Sequence, residues 1–293
     1  MAAPVLCLAV GATKSGTSWL HETLADHPAC HLRSIKELHY FDALDNDRID
    51  AEIRQITARR DELADRLQTA PIAKAGGLAQ RIADRDEWLS VLRLGREDTG
   101  AYLDYLHRGG DGCAVVGDVT PAYALLSQER LRTMAGLTPD VRFVYLMRDP
   151  VARLWSHVRM MAARRGDDGT VDPRRARNIL KRTLRGEEHE IEVRGDYRAA
   201  LTKLRAAVPQ DKLLCLFYEE IFGGDGMARL CAFLGIDPMA GDTERRVHEG
   251  TALDMAAGLR EKATTWLAPQ YEFVARTMGR NLPQEWLANM ARV

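Results

Sequence analysis

The chain lacks an excess of either charge, because 41 lysine and arginine residues are balanced by 42 aspartates and glutamates in 293 residues. A dedicated nucleic-acid-binding protein usually carries a basic surplus, so this balance argues against that class while leaving room for one local basic pocket. Cysteine is scarce as well. The five cysteines are odd in number and contain no Cys-x-x-Cys pair, which predicts free thiols in a reducing compartment and therefore a cytoplasmic protein.

Long hydrophobic runs are also missing. The apolar run Val5 to Val10 is too short for a membrane span or for the core of a signal peptide, and no basic segment precedes it. Hydrophobic residues still make up 46% of the chain, which is enough to bury a full core. We therefore expect a single domain spanning residues 1–293, without a membrane span.

Short apolar strands alternate with helical segments along the chain. Such alternation is typical of a P-loop-like three-layer α/β fold, in which helices flank a central, mostly parallel sheet. Ligands of these folds bind at the carboxyl ends of the strands. The strands are predicted at residues 4–10, 31–32, 114–118, 141–147 and 212–218, and the helices at 18–26, after Pro150, and at 196–208.

A helical insertion interrupts the alternation at about residues 45–108. Helical periodicity is evident at 53–67 and 88–106, and Pro71 and the Gly76-Gly77 pair separate the two stretches. We interpret the insertion as a lid or wall over a binding site; its aromatic residues either line a pocket or pack as helical core. The chain is again mainly helical from about residue 227 to 293.

A glycine loop, Gly11-Ala12-Thr13-Lys14-Ser15-Gly16-Thr17-Ser18, follows the first strand and begins the first helix. Glycines let backbone N–H groups converge on an anion, and the helix N-terminus adds a partial positive charge. Lys14 would add a mobile cation. The loop is not a Walker A motif, because no Gly-Lys-Ser/Thr closes it. Taken alone, it is either an anion site or an ordinary turn.

A second polar motif, Arg148-Asp149-Pro150 followed by Ser156, begins where the strand 141–147 ends. Asp149 and Pro150 are typical N-cap and first-turn residues of a helix. Arg148 can offer a planar fork to a phosphate, and Ser156 adds a hydroxyl if the chain folds back. Alternatively, Arg148 pairs with a surface carboxylate and Ser156 lies on a helix face.

Together, the two motifs resemble the cofactor motifs of the sulfotransferases that use 3′-phosphoadenylyl sulfate. The resemblance runs from about residue 5 to 235, outside the insertion, and is greatest to the heparan-sulfate 3-O-sulfotransferase branch. Four further segments match that branch in order: Lys36-Glu37-Leu38-His39-Tyr40-Phe41-Asp42, Thr120-Pro121-Ala122-Tyr123, Gly195-Asp196-Tyr197 and Tyr218-Glu219-Glu220-Ile221. The resemblance implies a nucleotide-binding site with Arg148 and Ser156 on the 3′-phosphate. The residues implied for the 5′-phosphosulfate are Thr13, Lys14, Ser15, Gly16, Thr17 and Ser18.

The resemblance also implies a chemistry, the transfer of a sulfuryl group to a hydroxyl or amine of a small-molecule, lipid or glycan acceptor. Lys14 would stabilise the leaving phosphate, and Glu37 would be the general base. His39 would be a helper or an alternative base, oriented by Asp42. This chemistry requires no metal, and the spacing of His27, Cys30 and His31 fits no zinc pattern.

Other readings of these residues stay open. Glu37 could instead form a salt bridge with Lys36 or Arg33, His39 could be a structural hydrogen-bonding residue, and Tyr123 could belong to the core. The chain departs from the branch at Asp118-Val119, where the branch has Glu-Lys, so a heparan acceptor is not implied. The segment Val247-His248-Glu249-Gly250-Thr251 stands where the branch has a more basic loop.

Two other functions compete with sulfuryl transfer. One is a P-loop-type kinase or nucleotide hydrolase, and the other is a non-catalytic nucleotide-binding protein. The amphipathic stretch 253–278 either packs on its own domain or makes a homo-oligomer possible.

Overall fold

A computed structural model of the chain describes residues 3–166, 169–239, 253–279 and 282–291. Its centre is a sheet with the strand order β2-β3-β1-β4-β5, in which every neighbouring pair is parallel. The strands are β1 (Val5–Gly11), β2 (Cys30–Leu32), β3 (Val115–Val119), β4 (Val141–Met147) and β5 (Leu213–Phe217).

Helices cover both faces of the sheet, as the alternation of strands and helices predicts. Their bounds are α1 (Thr17–Ala25), α2 (Tyr40–Asp45), α3 (Ile49–Gln68), α4 (Ile72–Leu92), α5 (Thr99–His107), α6 (Gln128–Met134), α7 (Pro150–Arg164), α8 (Pro173–Thr183), α9 (His189–Val193), α10 (Tyr197–Ala207), α11 (Tyr218–Gly223), α12 (Gly226–Leu234), α13 (Ala257–Met278) and α14 (Gln284–Met290). Two short 3-10 helices span Pro121–Leu125 and Gln210–Lys212.

The central strand β1 explains why the sequence reads as a continuous apolar run. All seven of its residues are buried. Successive side chains of a strand point to opposite faces, so Leu6 and Leu8 pack in the larger hydrophobic core while Cys7 and Ala9 pack in the smaller one. A strand that is buried on both faces has no polar side to alternate with. The predicted α/β fold with a parallel sheet flanked by helices is confirmed.

The insertion differs from the prediction in two places. The Gly76-Gly77 pair lies inside α4 and does not separate helices; a Cβ at either position would meet nothing within 4 Å. The predicted helix 88–106 is two segments, because α4 ends at Leu92 and α5 begins at Thr99. The side chain of Asp98 caps α5 by accepting a hydrogen bond from the N–H of Ala101 at 3.0 Å.

The aromatic residues of the insertion pack into the main core. Trp88, Tyr102 and Tyr105 are at most 2% exposed. The rings of Trp88 and Tyr105 lie 4.8 Å apart, and Tyr102 stacks on Tyr40 at 4.9 Å between centroids. Both segments of the insertion therefore place apolar residues on one shared core, and this continuity of apolar spacing concealed the break between α4 and α5.

The start of α7 is as predicted. Asp149 caps the helix by accepting a hydrogen bond from the N–H of Ala152 at 2.9 Å, and Pro150 is its first residue. The other carboxylate oxygen of Asp149 accepts hydrogen bonds from the Tyr271 hydroxyl at 2.6 Å and from Asn289 at 3.0 Å. One aspartate thus begins α7 and attaches α13 and α14 to it.

Helix α13 buries its apolar face within the domain, where Leu267, Tyr271 and Val274 are covered. It packs against α7 and α10. Within the ranges given above, no helix is long and apolar enough to cross a membrane.

Gly195 is a position where only glycine fits the packing. An added Cβ would lie 2.0 Å from the guanidinium of Arg153, which is 1% exposed and cannot swing into water. We predict that Gly195→Ala lowers the free energy of unfolding by about 1–3 kcal/mol. The matched control Gly76→Ala, in an open helical position, should raise it by about 0.5–1 kcal/mol. Urea denaturation of both variants is the measurement, and equal effects would contradict this account.

Candidate functional site

The glycine loop joins β1 to α1. Lys14 has φ 71°, and Gly16, at the N-cap of α1, has φ 90°. The N–H of Ala12 donates to the carbonyl of Leu146 at 2.7 Å, so the loop is attached to the neighbouring strand β4. The first N–H groups of α1 have no acceptor within the helix and point out of its N-terminus. The loop therefore has the backbone form of an anion site.

Tyr218, the first residue of α11, brings the two predicted motifs together. A Cβ at Gly16 would lie 2.7 Å from its ring, so glycine is required for this close approach. On the same ring, the guanidinium of Arg148 lies 4.6 Å from the centroid. The glycine loop and Arg148 therefore share one aromatic neighbour.

Tyr197 fixes the backbone at Arg148. Its buried hydroxyl accepts a hydrogen bond from the N–H of Arg148 at 3.1 Å and donates one to the carbonyl of the same residue at 2.6 Å. Ser156 lies within α7, so the chain does not fold back to present it as the sequence suggested. It is half-buried and shares a helix face with Arg159, three residues further on.

Positive charge converges on Lys14. Burial lowers the pKa of Lys14 below its ordinary value, and so do the charges of four neighbouring cations: Arg164, Lys36, Arg148 and Arg159. Mutual repulsion among cations is relieved when an anion binds between them, so these residues fit a ligand with several negative charges. The charges extend from Arg148, at the end of β4, to Arg164, at the end of α7. This spread suits a ligand with separated anionic groups.

A carboxylate and an imidazole lie beside these cations. Glu37 forms an ion pair with Lys36, and its other oxygen lies 3.5 Å from Nε2 of His39. Nδ1 of His39 lies 2.8 Å from Asp42. The proposed alternative partner Arg33 is engaged elsewhere, in a buried ion pair with Asp84 at 2.8 Å. The contacts form a continuous series from Lys36 to Asp42.

These contacts set the charge of each group. Burial alone would raise the pKa of Glu37, but the hydrogen bond from His39 and the charge of Lys36 outweigh it and lower the pKa to about 2. Burial alone would lower the pKa of His39, but Asp42 and Glu37 outweigh it and raise the pKa to about 10. Near neutral pH, Glu37 is therefore a carboxylate and His39 an imidazolium.

The backbone conformation singles out the same residues. Among the described residues, the non-glycine positions with positive φ are Lys14, Glu37, His39 and Asp47. Three of the four are the residues to which the sequence assigned catalysis. Such conformations cost about 1–3 kcal/mol each and cluster at functional sites.

A buried acid, Asp118 on β3, supports this segment. One carboxylate oxygen accepts a hydrogen bond from the Thr120 hydroxyl at 2.7 Å, and the other accepts from Tyr102 at 2.9 Å and Tyr123 at 2.8 Å. Burial raises the pKa of Asp118, and these three donors oppose the rise. Tyr123 is fully buried, so it belongs to the core, which is the role that the sequence left open for it.

The hydroxyls that bind Asp118 also hold the backbone around His39. Leu38 N–H donates to Thr120 Oγ1 at 2.9 Å, and Tyr40 N–H donates to the Tyr123 hydroxyl at 3.1 Å. Glu37 N–H donates to the carbonyl of Val119 at 3.1 Å. Each backbone N–H on either side of His39 is therefore bound to β3 or to the segment that follows it.

The remaining predicted residues differ in exposure. Thr13 and Ser18 are half-buried, whereas Thr17 is 5% exposed and Ser15 is fully buried, with its N–H bonded to the Ala12 carbonyl. The segment 247–251 lies outside the described residues. The sequence did not single out four residues of this site: Arg159, Arg164, Tyr197 and Tyr218. The two tyrosines lie in short segments that match the family branch, but no such match includes either arginine.

The two histidines that follow α1, His27 and His31, bind backbone carbonyls. Nε2 of His27 lies 3.0 Å from the carbonyl of Asp237, and Nε2 of His31 lies 3.0 Å from that of Arg108. In the part of the chain that the structure describes, no three His, Cys, Asp or Glu residues are grouped so as to hold a metal ion.

The comparisons with known proteins agree with this architecture. The sequence profile of the Sulfotransferase family matches residues 7–240, so the chain belongs to the sulfotransferase family and is a transferase by class. The crystal structure of a sulfotransferase from Alicyclobacillus acidocaldarius has the same fold, with 21% identity, a TM-score of 0.64 and coverage of 98% of this chain and 99% of that one. The sulfotransferase domain of the Synechococcus PCC 7002 olefin synthase is 19% identical, with a TM-score of 0.49 and 96% of both chains covered. No curated protein matches the chain.

Thr120→Val tests how much the hydrogen bonds between Asp118, Thr120 and the backbone before His39 contribute to stability. The change keeps the shape but leaves the Leu38 N–H and one Asp118 oxygen without their partner, so the free energy of unfolding should fall by about 1–3 kcal/mol. The control Thr133→Val removes an exposed hydroxyl that donates to the Glu129 carbonyl and should cost less than about 0.5 kcal/mol. Chemical denaturation compares them; a Thr120→Val variant as stable as the control would show that the network contributes little.

His39 should titrate near pH 10, and Asp42→Asn should lower that pKa, because it removes the hydrogen-bonded carboxylate. Since folding raises this pKa, the stability that His39 contributes is full below pH 6.5 and is lost as pH rises to about 10. Glu37 has a lowered pKa, so its contribution is present above pH 4.5 and is lost as pH falls towards 2. Imidazole NMR titration is the measurement, with the exposed Asp65→Asn as control. A wild-type pKa close to 6.5 would refute the assignment.

Proposed function

We propose that the chain transfers a sulfuryl group from 3′-phosphoadenylyl sulfate to a hydroxyl or amine of a small-molecule, lipid or glycan acceptor. The observation that carries this proposal is the convergence of cations on Lys14, between the glycine loop and Arg148, with the Glu37 carboxylate beside them. Membership of the sulfotransferase family supports it. The motif series from Lys36 to Asp42 is the reason to place the chain near the heparan-sulfate 3-O-sulfotransferase branch.

The residues present fit a donor with phosphate groups at both ends. We assign the 5′ end to the first turn of α1 and to the loop residues Thr13, Lys14, Ser15, Gly16, Thr17 and Ser18. Because Ser15 and Thr17 are buried, they act through the loop backbone rather than through exposed hydroxyls. Arg148 is assigned to the 3′-phosphate, and from the resemblance so is Ser156, which would reach it from its half-buried position within α7. When bound, the donor supplies the sulfuryl group and a phosphate leaving group, and this chemistry requires no metal.

Lys14 stabilises the negative charge that develops on the leaving phosphate. Burial and the neighbouring cations lower its pKa, so an anion that neutralises those cations favours the protonated, charged form of Lys14. Lys36 is paired with Glu37, the proposed base, and we therefore assign it to the acceptor side. The family branch has a lysine at the position of Val119, which is a buried valine in this chain. We propose that Lys36 takes the role of that lysine.

Glu37 accepts the proton of the acceptor hydroxyl. A carboxylate with a pKa of about 2 is a weak base. By analogy with phosphoryl transfer, a loose transition state places little charge on the nucleophile, so positioning matters more than base strength. His39 is already protonated near neutral pH, so it cannot be the base; it orients Glu37 and is itself held by Asp42.

A kinase or nucleotide hydrolase is the first alternative. It would need a free acid at the end of a strand to bind Mg²⁺. The acid that follows β4 is Asp149, which is 1% exposed and whose two oxygens are taken by Ala152, Tyr271 and Asn289. This occupancy favours sulfuryl transfer.

We further propose that residues 1–293 form one catalytic domain and that the insertion at about 45–108 forms a wall of the acceptor site. The cysteines Cys7, Cys30, Cys113, Cys215 and Cys231 are free thiols in the structure, which is consistent with a cytoplasmic enzyme.

Turnover with sulfate-labelled donor and a panel of hydroxyl and amine acceptors tests the function. Lys14→Met and Glu37→Gln should each lower kcat by about 100-fold or more, because each removes a group that acts in the transition state. The matched controls Lys74→Met and Glu62→Gln change exposed residues of α4 and α3 and should retain full activity.

Three outcomes would contradict the proposal. Unchanged turnover in Glu37→Gln or Lys14→Met would disprove the mechanism. Magnesium-dependent transfer from ATP would favour the kinase. Binding of adenosine 3′,5′-bisphosphate without turnover of any acceptor would favour the non-catalytic nucleotide-binding protein.

A further inference from the structure

A basic surface cavity lies where α7 ends and α8 begins. Its volume is about 460 Å³. Its polar lining consists of four arginines, one amide and one acid: Arg165, Arg174, Arg175, Arg182, Asn178 and Asp172. This excess of guanidinium groups is unusual in a chain whose net charge is −1.

Most of these side chains already have structural partners. Arg165 and Arg182 form ion pairs with the buried Glu188 at 2.7 and 3.1 Å. Arg175 donates to the carbonyl of Ala162 at 3.0 Å. These contacts hold the guanidinium groups in place around the cavity, so their positions do not depend on a ligand.

Arg174 differs from the others. It is exposed at the start of α8, and within the described ranges it takes part in no ion pair. The acid of the cavity, Asp172, accepts a hydrogen bond from the N–H of Arg175 at 2.5 Å and thereby caps α8. The lining therefore keeps an uncompensated guanidinium beside an amide, Asn178, which can also donate a hydrogen bond.

Helix α7 connects the Arg148 end of the site to this cavity. This helix of 15 residues is about 22 Å long and begins just after Arg148. Its last residue, Arg164, is close enough to Lys14 to repel it electrostatically, and the next residue, Arg165, lines the cavity. The cavity thus lies at the end of α7 opposite to Arg148. Because Lys14 is assigned to the leaving phosphate and Arg148 to the 3′-phosphate, the cavity is nearer in the chain to the cation that acts on Lys14 than to Arg148.

We propose that this cavity binds an anionic group, a phosphate, sulfate or carboxylate, carried by the acceptor substrate. The proposal rests on the sulfuryl transfer proposed above and narrows the acceptor to a molecule that already bears negative charge. Planar guanidinium forks match the oxygen geometry of these groups. A concave site of this size suits one charged group and part of a sugar or alcohol rather than a flat membrane surface.

Direct binding of inorganic pyrophosphate tests the cavity. The protein is first saturated with adenosine 3′,5′-bisphosphate to occupy the donor site, and pyrophosphate is then titrated by calorimetry. Arg174→Gln should weaken pyrophosphate binding by about 10-fold, which corresponds to about 1.4 kcal/mol. The matched control Arg177→Gln removes the same charge from an exposed position of α8 that does not line the cavity. Its affinity should stay within about two-fold of wild type.

The same titration in Lys14→Met separates this proposal from the proposed function. If the chain binds no adenosine 3′,5′-bisphosphate, sulfuryl transfer is wrong, and the comparison of Arg174→Gln with Arg177→Gln in the Lys14→Met background still reports on the cavity. No pyrophosphate binding, or equal weakening by the two variants, would overturn the cavity proposal. Tighter binding of duplex DNA or of phosphatidylserine vesicles, weakened equally by both variants, would also overturn it, because it would indicate a diffuse basic surface.

The link to the acceptor has its own readout. Among acceptors turned over with labelled donor, paired compounds with and without a phosphate are compared. The phosphate-bearing member should have the lower KM, and Arg174→Gln should raise that KM by about 10-fold while Arg177→Gln does not. A lower KM for the neutral member would overturn the assignment of the cavity to the acceptor.

Discussion

The buried carboxylate of Asp118 is the interaction on which the rest of the site depends. Removing a charged group from water is costly unless hydrogen bonds replace the water, and three hydroxyl groups do so here. These hydroxyls come from the insertion helix α5 and from the segment after β3. Two of the three also accept backbone N–H groups on either side of His39. One acid therefore holds together the sheet, the insertion and the segment around His39.

The cations around Lys14 repel one another and so destabilise the free protein, whereas the hydrogen bonds to Asp118 stabilise it. Glu37 pairs with Lys36, and the charge of Asp254 acts on Arg159. Left-handed backbone at Lys14, Glu37 and His39 adds local strain. A ligand that binds the folded state recovers part of both costs and stabilises the fold. The candidate site is thus preorganised at the expense of the free protein's stability.

Much of the fold follows from local sequence signals. The strand β4 and the start of α7 are predictable, because an apolar run is followed by an Asp-Pro pair that is typical of a helix start. The break between α4 and α5 is not, since both segments place apolar residues on one core. The motif residues of the candidate site are predictions from the resemblance of their motifs, which the structure brings close together around Tyr218. Tyr218 and Tyr197 contact the motifs from positions far along the chain, and this proximity arises only from the parallel order of the strands.

Helix α7 extends without interruption from the Arg148 end of the site to the arginine cavity. A rigid helix of this kind sets the distance between the two ends independently of what binds at either. Residues of α8 can therefore change during evolution without moving the groups around Lys14. With the donor and acceptor sites proposed above, acceptors could diversify while the donor stays the same. Insertion of a single residue into α7 would be far less tolerated, because it would rotate everything beyond it by about 100°.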